Sequence, residues 1–116
     1  SIIGLSFKSD TDDLRYTPMA DVYKKLKKSF NLKIFDPIVN PKDFGKVVGE
    51  KINYSKLQDC FDDANIVILG CAHREIKQED ILEYIKSMSK KFIIVDGRGG
   101  YSELRKVLPK VNYIKI

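Results

Sequence analysis

The sequence predicts an α/β domain of three layers: a five-stranded, mainly parallel sheet with helices on both faces. Three observations predict it. Short apolar runs recur along the chain, at residues 2–7, 32–35, 66–69 and 92–95, with a weaker one at 112–116. Segments with apolar residues at helical spacing lie between several of them. Polar or glycine-bearing turns mark the junctions. Regular alternation of strand and helix implies parallel strands joined by right-handed crossovers.

Each element has its own warrant. Residues 2–7 read as a buried strand that stops at Lys8. Thr17 is a candidate N-cap and Pro18 suits a first helical turn, after which Met19, Val22, Tyr23, Leu26 and Phe30 recur at helical spacing. A second strand, 32–35, is stopped by Asp36-Pro37. Residues 38–54 are the least regular part. Pro41, Gly45 and Gly49 argue for a loop there, with a short strand possible at 46–48. Ser55 is placed to cap a helix running to Asp63, with Leu57, Cys60 and Phe61 inward.

The run at 66–69 is continuously apolar, the pattern of a strand covered on both faces. Gly70-Cys71-Ala72 follows with small residues, so another group can approach the backbone. Residues 78–88 show a helical stripe of Ile81, Leu82, Ile85 and Met88. The fourth strand, 92–95, leads into Asp96-Gly97-Arg98-Gly99-Gly100. A short helix at 102–108 and a last strand at 112–116 complete the order. The expected strand order is 2-1-3-4-5. Its switch point falls between strands one and three, where open α/β sheets bind ligands. The loop at Phe7-Lys8 and the loop at Gly70-Cys71 flank that crevice, and Arg98 lies at the same edge.

At 116 residues the chain is expected to form one domain, residues 1–116. Hydrophobic content of 43% and charged content of 32% suit a folded globular protein rather than a disordered one. No apolar run approaches the ~20 residues of a membrane span. The chain starts Ser-Ile-Ile, without Met or a charged leader, and reads as a fragment cut near the start of a strand.

Net charge of +5 suits an anionic partner. The densest basic cluster, Lys24, Lys25, Lys27 and Lys28, occupies polar positions of one helix and reads as a solvated face. No nucleic-acid motif accompanies it.

Several chemistries fail on residue type. After the first strand there is neither Gly-x-Gly-x-x-Gly nor a Walker loop, so this chain is not expected to bind NAD itself. Asp12-Asp13 is similar to the acidic pair of phospho-acceptor domains, but Leu69-Gly70 occupies the place of the acceptor Asp. A single histidine, His73, with scattered carboxylates makes no metal site. Cys60 and Cys71 read as reduced thiols in or near the core. His73 lies two residues from Cys71, which leaves a reactive thiol open. Asp36 needs no role beyond forming a turn before Pro37. Lys8, a compact mobile charge, and Arg98, a rigid fork among glycines, remain as an anion pair on two strand-end loops.

Residues 4–15 read Gly-Leu-Ser-Phe-Lys-Ser-Asp-Thr-Asp-Asp-Leu-Arg, followed by Thr17-Pro18. This stretch resembles the opening of the carboxyl-terminal, UDP-binding domain of nucleotide-sugar 6-dehydrogenases, the UDP-glucose/GDP-mannose dehydrogenase family. The resemblance continues at Phe35-Asp36-Pro37, at Ala64-Asn65-Ile66-Val67-Ile68 with His73 following, and at Asp96-Gly97-Arg98. It implies a Rossmann-like domain of an enzyme that oxidises a sugar C6 alcohol to a carboxylate. The reaction takes two NAD-dependent steps through a cysteine thiohemiacetal.

The resemblance implies that Phe7, Lys8 and Arg98 line the substrate site. Asp13 and Arg15 match as well and read as a structural brace, with Arg15 alternatively serving substrate charge or an interdomain contact. NAD would be bound by a domain absent from this chain. The catalytic Gly-Gly-x-Cys-x-Pro-Lys-Asp segment is missing too, so neither Cys60 nor Cys71 inherits that role and the chain alone is expected to be inactive.

The partners implied are a UDP-sugar and the remainder of the dehydrogenase chain, in a cytoplasmic homo-oligomer of polysaccharide biosynthesis. No nucleic acid or membrane is expected. The position of His73 is similar to N-acetylhexosamine members and the intact Asp-Gly-Arg to UDP-glucose members; a UDP-sugar is favoured over GDP-mannose. The alternatives are a non-catalytic α/β module for a phosphorylated metabolite and a basic domain for nucleic acid or a protein.

Overall fold

The computed structural model describes residues 1–88, 90–108 and 112–116. The elements run β1 (Ile2–Ile3), α1 (Met19–Leu26), β2 (Ile34–Phe35), α2 (Pro41–Val48), β3 (Ile66–Leu69), α3 (Gln78–Lys86), β4 (Ile93–Asp96) and β5 (Tyr113–Lys115). Two 3₁₀ turns, Gln58–Cys60 and Ser102–Lys106, lie before β3 and β5. The five strands form one sheet in the order β2-β1-β3-β4-β5. Every pairing is parallel, with Ile2 opposite both Ile34 and Ile68, and Ile66 opposite Ile93. The α/β class, the Rossmann-like arrangement and the expected strand order are all observed.

Alternation along β1 sends adjacent side chains to opposite faces. Ile2 joins Leu5, Met19, Tyr23, Ile34 and Phe44 under α1 and α2. Ile3 joins Val67, Leu69, Ile81, Ile94 and Leu104 under α3 and the second 3₁₀ turn. The expectation that the third strand is covered on both faces needs correction. Val67 and Leu69 are fully buried, but Ile66, Ile93 and Ile114 on the other face are 36%, 37% and 47% exposed. Within the described residues, α1 and α2 cover that face over β1 and β2 and reach β3 only at Ile68, which is partly buried.

The first strand is shorter than the apolar run. Its ladder ends at Ile3 because Gly4 turns to φ +85°. A side chain at Gly4 would have its Cβ 2.4 Å from the Cys71 carbonyl oxygen. Only glycine supports both that dihedral and that approach. The Leu5 N–H then leaves the sheet and donates to Asp36 Oδ2 at 2.7 Å.

The largest departure is at 38–54, expected as loop with a possible strand and observed to contain α2. Asn40 is an extended N-cap whose side chain accepts from Lys42 N, and Pro41 takes the first helical position. Gly49 closes the helix in the left-handed region at φ +79°. Pro41 and Gly49, read as loop formers, are the helix boundaries, while Gly45 lies inside the helix and joins Phe44 and Val48 on its buried face.

Smaller corrections follow the same logic. The helix expected from Ser55 to Asp63 is a single 3₁₀ turn, although Cys60 and Phe61 are buried as expected. Asp63 turns left-handed at φ 56°. The helix expected at 102–108 is likewise 3₁₀. Phe30 lies beyond the end of α1 and is 55% exposed, not inward. Pro18, not Thr17, holds the cap position of α1. Thr17 still does capping work: its hydroxyl accepts from Met19 N at 3.2 Å and donates to Leu5 O at 2.5 Å. No helix among the described residues is long and apolar enough to cross a membrane.

Candidate functional site

The carboxyl ends of the parallel strands lie along one edge, and polar groups gather there. Phe7, Lys8 and Arg98 come together at that edge from opposite sides of the switch point. Arg98 Nη2 donates to the Phe7 carbonyl oxygen. The guanidinium carbon sits 4.6 Å from the centroid of the Phe7 ring, within cation–π range. Lys8 is the next residue and is exposed. Of the nearby acids, Asp10 pairs with Arg74 and Asp13 with Arg15, and among the described residues Lys8 makes no ion pair.

Asp13 and Arg15 form the brace. Arg15 meets both carboxylate oxygens of Asp13, with Nε 3.0 Å from Oδ1 and Nη2 2.8 Å from Oδ2, and its own N–H donates to Oδ1. These bonds pull the Asp13 carboxyl down to about 2. Phe7 N donates to Asp13 O at 3.3 Å, closing the loop that carries Lys8.

The Arg98 loop hangs from Asp96, which is buried at the end of β4. Its Oδ1 accepts from Gly99 N at 2.8 Å and more weakly from Arg98 N at 3.3 Å. Its Oδ2 accepts from Tyr101 N at 2.9 Å and the Tyr113 hydroxyl at 2.7 Å. A buried carboxylate is stable only when so satisfied.

Sequence reasoning missed the roles of the two residues that tie the ends of β1, β2 and β3 together. Asp36, expected as a turn former, is 3% exposed. Its Oδ1 accepts from Ile38 N and Val39 N, both at 2.8 Å, and its Oδ2 from Leu5 N at 2.7 Å. His73 Nε2 lies 3.0 Å from the same Oδ2. Burial works against ionisation of Asp36, but the bonds from His73, Val39, Leu5 and Ile38 outweigh it and hold the carboxyl below its usual value.

His73 is 1% exposed, and its neighbours decide its tautomer. Nδ1 lies 2.9 Å from the Asp10 N–H and accepts from it, so Nδ1 carries no hydrogen. Nε2 faces a carboxylate and therefore carries one. Ser6 Oγ gives its proton to Lys8 O at 2.7 Å and stands 3.4 Å from Nε2.

This geometry closes the thiol question. Both ring nitrogens of His73 are committed to Asp36 and Asp10, so the ring is no base for Cys71. The Cys71 sulfur instead touches Ser6 Oγ and Ser9 Oγ, each at 3.7 Å. Burial pushes the Cys60 thiol up to about 11, where it is inert.

A cavity of about 600 Å³ opens at the opposite edge of the strands, lined among others by Leu26, Phe30, Lys33, Asp62 and Ile66. None of the residues above reaches it. Lys8 and Arg98 sit at the other edge.

The chain matches, over residues 1–103, the family described as UDP-glucose/GDP-mannose dehydrogenase family, UDP binding domain. It is 28% identical to UDP-glucose 6-dehydrogenase TuaD of Bacillus subtilis (strain 168), covering 88% of this chain and 22% of that protein. To UDP-N-acetyl-D-glucosamine 6-dehydrogenase of Salmonella typhi it is 38% identical, covering 69% and 19%. To GDP-mannose 6-dehydrogenase of Pseudomonas syringae pv. syringae it is 36% identical, covering 60% and 18%. The chain spans about a fifth of the length of these relatives.

Proposed function

The chain belongs to the UDP-glucose/GDP-mannose dehydrogenase family, and from that premise we propose that residues 1–116 are the domain that holds a UDP-sugar in an NAD-dependent 6-dehydrogenase. The observation that carries the reading is the seating of Arg98 on Phe7 beside unpaired Lys8 at the switch point. The Phe7 carbonyl and ring orient the guanidinium. Lys8 adds a mobile charge one residue away. A fixed fork and a mobile ammonium suit a diphosphate. Asp13 and Arg15 shape the loop between them.

NAD does not fit the first strand–helix junction. Thr17 Oγ1 already takes the Met19 N–H, and Pro18 has none to offer a pyrophosphate. In the whole enzyme the nicotinamide and the reactive cysteine therefore belong to other segments, and these residues bind and orient the nucleotide. UDP is assigned over GDP because the matched domain is described as UDP-binding and a relative aligned over 88% of this chain is a UDP-glucose 6-dehydrogenase. The enzyme is assigned to the cytoplasm as a homo-oligomer serving polysaccharide biosynthesis.

Calorimetry of the chain with UDP, UDP-glucose and GDP-mannose tests this. Each charge-assisted contact contributes about 1.5–3 kcal/mol, so Lys8→Ala and Arg98→Ala should each weaken UDP binding about tenfold or more. Both sites are exposed, so thermal stability should hold. Unchanged affinity in both variants would remove the site assignment. Equal affinity for GDP-mannose would remove the choice of base.

A further inference from the structure

We propose that His73 is the positioning residue of the Lys8–Asp10 loop, its neutral ring hanging that loop from Asp36. What the loop is for rests on the nucleotide reading above. How it is held does not.

Three observations converge. First, Asp10 adopts φ 59°, a left-handed conformation that a residue other than glycine keeps only when its surroundings impose it. Second, what imposes it comes from two consecutive residues of the β3–α3 loop. His73 Nδ1 accepts the Asp10 N–H at 2.9 Å. Arg74 returns its N–H to Asp10 Oδ1 at 2.8 Å and its Nε to Oδ2 at 2.9 Å. Third, the ring cannot turn. Nε2 is held 3.0 Å from Asp36 Oδ2, and both side chains are wholly buried. A flipped ring would set carbon-bound hydrogens against both the Asp10 N–H and Asp36 Oδ2, costing the loop its acceptor and Asp36 one of its four donors.

Of these partners the Arg74 side chain is 89% exposed, so its pairing is screened by solvent. The His73 bond lies deeper and fixes where Lys8 emerges, two residues before Asp10. Ser6 adds the other end of the clamp by donating to Lys8 O at 2.7 Å.

The role separates into two halves that two variants preserve one at a time. In His73→Asn the amide oxygen stands near the place of Nδ1 and can still accept from Asp10. In His73→Gln the amide nitrogen stands near Nε2 and can still donate to Asp36, but the acceptor for Asp10 is gone. Positioning predicts that loop order and UDP affinity follow the acceptor. His73→Asn should keep slow hydrogen exchange at the Asp10 amide and bind UDP within about threefold of the unsubstituted chain. His73→Gln should expose that amide and weaken UDP binding about tenfold, the effect of one lost, partly buried bond. A role confined to bracing Asp36 predicts the reverse order.

In the unsubstituted chain, nitrogen-15 NMR of the imidazole should show Nε2 protonated and Nδ1 bare at neutral pH. An Nδ1-protonated ring would overturn the proposal, as would an Asp10 amide equally protected in both variants. Failure of UDP to bind the unsubstituted chain would sink the nucleotide reading instead, while the tautomer and the Asp10 amide would still decide the role of His73.

Discussion

Asp36, after the edge strand β2, and Asp96, on the inner strand β4, are the same device, and they do different things. Each follows directly from a strand's apolar run, each is almost fully buried, and each accepts four bonds. Asp96 spends three of them on its own loop, at residues 98, 99 and 101, and one on Tyr113 of the adjoining β5. Asp36 spends only two on its own turn. The others reach Leu5 past the end of β1 and His73 past the end of β3. An edge-strand carboxylate thus ties three strand ends together, while the one on β4 shapes one loop. What differs is the space around each. Gly4 and Gly70 let the β1 and β3 ends approach closely: a Cβ on Gly70 would lie 2.5 Å from Gly4 O. A ring from β3 can then cross to β2.

The sharpest test removes each carboxylate. Asp36→Ala strands three fully buried donors, and Asp96→Ala strands two, since Arg98 N and Gly99 N are only partly buried. Each buried orphan costs about 1–3 kcal/mol. Urea unfolding should therefore show Asp36→Ala losing about 3 kcal/mol or more, and Asp96→Ala measurably less. Equal losses would break the distinction between hub and local clasp.

Acid is the next lever. The Asp36 carboxyl is held below its usual 3.8 in the folded chain. A depressed carboxylate stabilises fully above its unfolded value, and that contribution fades as pH falls through the folded one. Melting temperature should drop as pH falls below about 4, and less steeply in Asp36→Asn. Parallel curves would mean that other carboxylates carry the acid sensitivity.

The smallest effect belongs to the brace. The Arg15 and Asp13 side chains are 82% and 39% exposed, and pairs so placed contribute little to stability. Arg15→Ala should leave the melting temperature unchanged within error. A clear loss would move the brace from loop shaping into the stability of the fold.

The two aspartates also show what was legible before any coordinates. The Arg98 loop was readable because the donors to Asp96 lie mostly within five residues of it, and glycines flank the arginine. Asp36 was not, because half of its donors come from residues 31 and 37 positions away. The α2 helix was misread for a different reason. Its boundary residues Asn40, Pro41 and Gly49 are also turn formers, and eight residues leave little periodicity to outweigh them. Covering of the third strand was overestimated, since four consecutive apolar residues look alike whether one face or two are packed.

By itself the sequence determined the strand order, the parallel sheet and the pair of cationic loops at its carboxyl edge. Those follow from alternation, handedness and local turn chemistry, all of which act over a few residues. Tertiary structure decided the rest: that Arg98 rests on Phe7, that Asp10 is held left-handed by His73, and that Asp36 is a hub rather than a turn. Hydrogen bonds between residues dozens of positions apart leave no periodic trace in the chain. Buried donors and acceptors must nonetheless be paired, and only the packed sheet shows which ones meet.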